Sequence, residues 1–236
     1  MAKNLTPQED KFFKQNLKVM SLTLPKQALT QLFLYYQAFR ENNQRLGLTS
    51  LNLEKNWEQS ISELFLDSLI LAPYFHHHPE LKRVLDLGTG AGLPGLPLKI
   101  ACPHLKLTLL DSSQKKLGFC HLMSLTLGLS DVTILEGRAE KWAKQPQQRE
   151  SYDLVCSKAF SKLPSFLEYA IPFLKPGGLL AAYKGESIAA EIKQAAPTLQ
   201  ALQCRIKDLK EYTLPQHSAP RFLLLVEKMG RIAKNS

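Results

Sequence analysis

Residues 84–95, Val84-Leu85-Asp86-Leu87-Gly88-Thr89-Gly90-Ala91-Gly92-Leu93-Pro94-Gly95, limit what this chain can fold into more than any other stretch. A short apolar run that stops at glycines reads as a strand entering a tight turn. Pro94 then suits the first turn of a helix, where its missing N–H costs nothing. Strand, glycine turn and helix together open a nucleotide-binding α/β unit.

The sequence after this turn keeps the same rhythm. Further strands are expected at 107–110, 132–135, 152–157 and 179–183, and helices at 93–101, 113–127, 163–174 and 188–199. Two more strands, 205–212 and 222–227, follow without a helix between them. Alternating strands and helices give a doubly wound, mainly parallel sheet. The last pair closes it, so the expected fold is a Rossmann-like α/β sheet of seven strands with one antiparallel. Ahead of it, residues 1–78 read as a helical cap, the sheet domain as 79–230, and 231–236 as a tail. Leu29, Leu32, Phe33, Tyr36 and Phe39 recur at helical spacing, as do Ile61, Leu64, Phe65, Ser68 and Leu69. Residues 42–56 are polar and turn-like. His76, His77 and His78 are adjacent, and adjacent side chains on one regular element cannot converge on a metal, so no metal site is expected.

Two glycine motifs overlap in the loop. Gly90, Gly92 and Gly95 satisfy the dinucleotide spacing, and Gly88, Gly90 and Gly92 satisfy the methyltransferase spacing after an acid. Register separates them, because Gly88 follows the strand directly and Asp86 closes it. A carboxylate there repels a pyrophosphate and attracts the ammonium and sulfonium of S-adenosylmethionine. Asp111 and Ser112 end the second strand, where an acid can hold ribose hydroxyls. Arg138, Ala139 and Glu140 follow the third strand, where adenine is flanked. The alternative is an NAD-dependent oxidoreductase, which needs a hydride-transfer residue that the sequence does not offer.

The net charge of +9 favours an anionic partner such as nucleic acid. Basic residues suited to phosphate include Lys115, Lys116, Arg138, Lys162, Lys184 and Arg221. The cysteines, Cys102, Cys120, Cys156 and Cys204, form no C-x-x-C pair and sit in apolar sequence, so buried free thiols in a cytoplasmic protein are expected. No window is long and apolar enough for a bilayer span, and no membrane partner is expected.

Methyl transfer from a sulfonium is a direct displacement, so positioning matters more than acid–base chemistry. Cys156-Ser157-Lys158-Ala159-Phe160 closes the fourth strand and lacks the Asn/Asp-Pro-Pro-Tyr/Phe motif of exocyclic-amine methylation. Cys156 as a pyrimidine C5 nucleophile is weighed against a buried core thiol. A ring nitrogen such as guanine N7 has a free lone pair and needs no base, which fits a site without one.

These residues resemble the glucose-inhibited division protein B family of bacterial small-subunit ribosomal RNA methyltransferases. The matching segments are Leu48-Thr49-Ser50, Leu66-Asp67-Ser68 before Ala72-Pro73-Tyr74, and Gly88 through Leu98. They continue with Leu110-Asp111-Ser112 with Lys115-Lys116, Arg138-Ala139-Glu140, Ser157-Lys158-Ala159-Phe160, Lys184-Gly185 and Arg221-Phe222-Leu223. The resemblance implies S-adenosylmethionine contacts near Gly88, Leu93, Ala139, Glu140 and Lys158. It implies 16S ribosomal RNA, or the small subunit, as partner, with N7 of guanine 527 in the 530 loop as target. It also implies functional cations at Arg138, Lys158 and Arg221. The chain departs from the family at Gly47, where asparagine is usual, at Leu64, where histidine is usual, and at Lys158, where arginine is usual. A methyltransferase of another RNA or of a small molecule is the competing enzyme, and a catalytically dead RNA-binding module is the competing non-enzyme. A monomer is expected.

Overall fold

A computed structural model describes residues 6–158 and 161–230. Ala159, Phe160 and the expected tail 231–236 lie outside the described residues. Helices α1 (Pro7–Val19) and α2 (Lys26–Leu46) come first. A continuous helical stretch follows: α3 (Trp57–Ser60), a π segment (Ile61–Leu66), a 3-10 segment (Asp67–Leu71) and α4 (Ala72–His77). The rest alternates as β1 (Arg83–Leu87), α5 (Gly95–Ala101), β2 (Lys106–Asp111), α6 (Gln114–Thr126), β3 (Val132–Glu136), α7 (Ala139–Trp142), β4 (Tyr152–Lys158), α8 (Leu163–Ala170), β5 (Leu174–Lys184), α9 (Ile188–Ala201), β6 (Cys204–Tyr212) and β7 (Arg221–Lys228).

The strands form one seven-stranded sheet in the order β3-β2-β1-β4-β5-β7-β6. Strand β7 runs antiparallel to both β5 and β6, and the β1–β4 neighbours pair parallel. The order reverses between β1 and β4, so a crevice opens outside their carboxyl ends. Side chains alternate across the sheet as a period of two requires. Val84, Leu154, Cys156, Leu179 and Ala181 face the core shared with α1, α2, α5 and α6, while Leu85, Val155, Leu180 and Ala182 face the core under α8 and α9. The helices before residue 78 share the first of these cores, through Phe13, Leu32, Tyr35, Phe39 and Phe65.

Two expected boundaries move. Helix α2 runs to Leu46, because Asn42 and Arg45 satisfy each other and the turn before them along the helix, and Gly47 ends it in the left-handed conformation at φ 61°. Glycine adopts that conformation without the penalty a Cβ brings. Strand β5 begins at Leu174, ahead of the expected strand 179–183, because Tyr152 pairs with Leu174 and a register shift lets the Lys175–Gly178 segment bulge within the strand.

Candidate functional site

The glycine loop is organised from beneath. Asp86 is fully buried, and its Oδ2 accepts from Gly95 N (2.8 Å) and Thr89 Oγ1 (2.6 Å). Burial pushes this carboxyl up to about 7 from its usual range, against those hydrogen bonds. Its Oδ1 has no hydrogen-bond partner. The sequence reading aims Asp86 at the ligand, but the structure turns it inward as the anchor of the turn, because the helix N-terminus beside it supplies the donors. From the N-terminal helices, the Tyr35 hydroxyl donates to the Ala91 carbonyl. Gly92 has φ 94°, and a Cβ there would lie 2.5 Å from Leu96 Cδ1 and 2.9 Å from the Tyr35 hydroxyl. That position accepts only glycine.

Two cavities open at the carboxyl edge of the sheet. The first, about 360 Å³, is lined by Leu87, Gly88, Leu110, Asp111, Ser112, Gly137, Arg138, Ala139, Glu140 and Tyr169. Asp111 shapes it: one carboxylate oxygen accepts from Gly90 N and the other from Ser113 N, both at 2.8 Å. A carboxylate has further lone pairs, so it can still accept two vicinal hydroxyls. Leu87, Leu110 and Tyr169 add apolar and aromatic wall for a flat base. This donor set fits the nucleoside half of S-adenosylmethionine.

The second cavity, about 530 Å³, is lined by residues that include Thr49, Ser50, Glu63, Leu64, Lys158, Lys162, Tyr183, Lys184 and Arg221. It neighbours the first across the β1–β4 seam, where Ser157 Oγ donates to the Leu87 carbonyl at 2.6 Å. Ion pairs organise it. The Lys158 ammonium stands 3.0 Å from Asp67, which is fully buried, and also donates to the Glu63 carbonyl. The π segment, a geometry that recurs at functional sites, presents that carbonyl. Arg221 lies 3.9 Å from both Glu63 and Asp67. Tyr212 donates to Asp67 (2.6 Å), and burial first, then the Asp67 charge, pushes its phenol well up. Burial opposes ionisation of Glu63, but hydrogen bonds from Gln59 and His217 hold its carboxyl below the usual value. Lys184 is tied to Glu191 at 2.8 Å and to the Ser161 carbonyl.

The expected site residues therefore separate. Gly88, Asp111, Ser112, Ala139, Glu140 and Arg138 line the first cavity; Lys158 and Arg221 line the second. Asp86, Gly90, Gly92 and Leu93 line neither and lie in the turn beneath. Arg138 stands at one cavity of the carboxyl edge, and Lys158 and Arg221 stand at the other. Lys158 is also no surface cation, since its partner is a buried acid. Sequence reasoning missed Glu63, Tyr212 and His217 and gave Asp67 no role. An aspartate inside the apolar run 64–71 was the available signal, because a buried carboxylate needs a partner. Cys156 is fully buried with its thiol pushed well up by burial, which excludes it as a nucleophile. Cys102 and Cys120 are buried free thiols too, whereas Cys204 is partly exposed. The described residues hold no group of three metal-ligating side chains, and no described helix is long and apolar enough to cross a membrane.

The family model described as rRNA small subunit methyltransferase G matches residues 28–219. The chain is 35% identical to Ribosomal RNA small subunit methyltransferase G of Bacillus cereus (strain B4264) over 94% of its own length and 91% of that protein. It is 34% identical to the protein of that name from Bacillus thuringiensis (strain Al Hakam), with the same coverage. Among solved structures it is similar in fold to a protein from Klebsiella pneumoniae described as a putative O-methyltransferase (TM-score 0.61, 15% identity, 94% of this chain and 98% of that one). It is similarly related to a SAM dependent methyltransferase from Aquifex aeolicus (TM-score 0.53, 21% identity, 72% and 93%). The chain belongs to the rRNA small subunit methyltransferase G family, whose cofactor is S-adenosylmethionine.

Proposed function

We propose that this chain transfers the methyl group of S-adenosylmethionine to N7 of a guanine in 16S ribosomal RNA, guanine 527 of the 530 loop. The observation that carries the reading is the pair of cavities on either side of the β1–β4 seam. One has the donor set of a nucleoside cofactor, and the other has room and charge for an RNA base.

The cofactor supplies an electrophilic methyl group on a sulfonium. Asp111, held by Gly90 N and Ser113 N, takes the ribose hydroxyls, and Ala139 and Glu140 flank the adenine. Lys158 and Arg221, fixed by Asp67 and Glu63, position the base in the second cavity. Guanine N7 attacks with its own lone pair, so the protein's work is alignment rather than proton removal. Among the described residues that line the second cavity, both carboxylates are paired, Glu63 with His217 and Arg221 and Glu191 with Lys184, which supports a ring-nitrogen target over an amine. Lysine at 158 keeps the family's charge but not its bidentate fork.

The test is methylation of small subunits from a strain lacking this protein, followed by mapping of the modified base. N7-methylguanine at position 527 supports the reading. A different modified nucleotide overturns the target assignment, and no transfer to subunits or to 16S rRNA overturns the substrate.

A further inference from the structure

The cations at the carboxyl edge of the sheet fall into two groups. Three of those in the second cavity are neutralised from within, Lys158 by Asp67, Arg221 by Glu63 and Asp67, and Lys184 by Glu191, while Lys162 stands exposed at its edge without an ion pair among the described residues. The neutralised three have little field to spare for a distant polyanion. Arg138, Lys141 and Lys144 differ. All are exposed, and among the described residues none has an acidic partner within ion-pair distance. Arg138 precedes α7, Lys141 lies within it and Lys144 follows in the turn after it. All three line a depression of about 480 Å³ with Glu140 and Gln145. Arg138 and Glu140 also line the cofactor cavity, so the depression is its continuation at the surface.

Resting on the reading of RNA as substrate, we propose that Arg138, Lys141 and Lys144 form the docking surface for the RNA phosphodiester backbone beside the adenosine side of the cofactor cavity. Charge complementarity selects a polyanion, with three cations against one acid in the depression. Its chemistry selects backbone over base. No aromatic or apolar side chain lines it, and the nearby Trp142 is engaged through Nε1 with the Glu136 carbonyl. Single-stranded bases are held by stacking platforms, which this surface does not offer. Two parts of the RNA are thereby held by different means: backbone by exposed, unneutralised cations, and the reacting base by the neutralised pocket.

The experiment compares K141Q/K144Q with K193Q/K210Q, which removes the same charge from exposed positions on α9 and β6. Methylation of small subunits from a strain lacking the protein is followed against potassium chloride at fixed magnesium, and S-adenosylmethionine binding is measured by calorimetry. For K141Q/K144Q the loss is expected in KM rather than kcat. The slope of log kcat/KM against log salt is expected to become shallower by about 1.4 to 1.8, from roughly 0.7 to 0.9 per phosphate contact. Its cofactor affinity is expected to equal wild type, which also verifies folding. The control pair is expected to keep the wild-type slope. An unchanged KM and slope in K141Q/K144Q overturns the proposal, and so does an equal change in both pairs, which means bulk charge. A wild-type protein that transfers no methyl group breaks the substrate reading instead, independently of the variants.

Discussion

The two cavities are built by opposite means. The first is made of local sequence, with Gly88, Asp111 and Ala139 on successive strand ends and its key contacts made by backbone N–H groups. The second gathers Glu63 and Asp67 from the N-terminal helices, Lys158 from β4, and Tyr212 and Arg221 from β6 and β7. The first recognises a fixed small molecule and needs shape. The second must hold cations still without water, and so needs buried acids. Damage to the first is therefore expected to appear in cofactor affinity, and damage to the second in stability and transfer.

Lys158→Ala makes the largest difference. It strips the closest cation from the fully buried Asp67, and breaking a buried pair costs about 3 to 5 kcal/mol. Chemical denaturation is expected to show a loss near that range, reduced by whatever Arg221 recovers from 3.9 Å. Lys158→Arg is expected to restore most stability and activity. A wild-type denaturation midpoint in Lys158→Ala would mean that the acid cluster does not depend on this lysine. Gly92→Ala comes next. The new methyl meets Leu96 and Tyr35 in a backbone conformation that disfavours it, a cost of about 2 to 3 kcal/mol. Calorimetry is expected to show weakened cofactor binding, since the loop carries Gly90 N to Asp111. Unaltered affinity would separate the loop's shape from the cofactor.

Asp86 gives a pH signature. Its folded carboxyl is raised to about 7 from 3.8, so the folded state holds a proton that the unfolded state has released. The associated stability is full below about 4 and is lost as pH rises through about 7. In Asp86→Asn this slope disappears, while the acceptor for Thr89 and Gly95 remains. The difference in Tm, wild type minus variant, is expected to fall between pH 4 and 7; a constant difference would show that the group does not titrate there. Arg138→Ala is the smallest effect on the fold, within about 0.5 kcal/mol for an exposed cation without an ion pair among the described residues. A large fall in Tm would place Arg138 in the fold rather than at the surface.

The same contrast explains what the sequence could reveal. Strand, glycine turn and helix are neighbours in the chain, so residues 84–140 could be read by period and spacing, whereas the order of the strands in the sheet came only with the structure. Asp86 was legible as an acid at a strand end but not in its direction, because the donors that turn it inward, Thr89 and Gly95, belong to the turn's three-dimensional path. The Asp67–Lys158 pair joins residues far apart in sequence, and only the sheet brings them together. Nothing periodic marks His217, which reaches Glu63 from the β6–β7 connection.

The division of labour between the cavities is tested most directly by measuring S-adenosylmethionine affinity and single-turnover methylation of small subunits in Asp111→Ala and Arg221→Ala. Asp111→Ala is expected to lose cofactor affinity. Arg221→Ala is expected to keep wild-type affinity and to slow transfer at least about tenfold, a barrier change of about 1.4 kcal/mol. Equal loss of cofactor affinity in both variants, or full transfer in Arg221→Ala, would contradict the account.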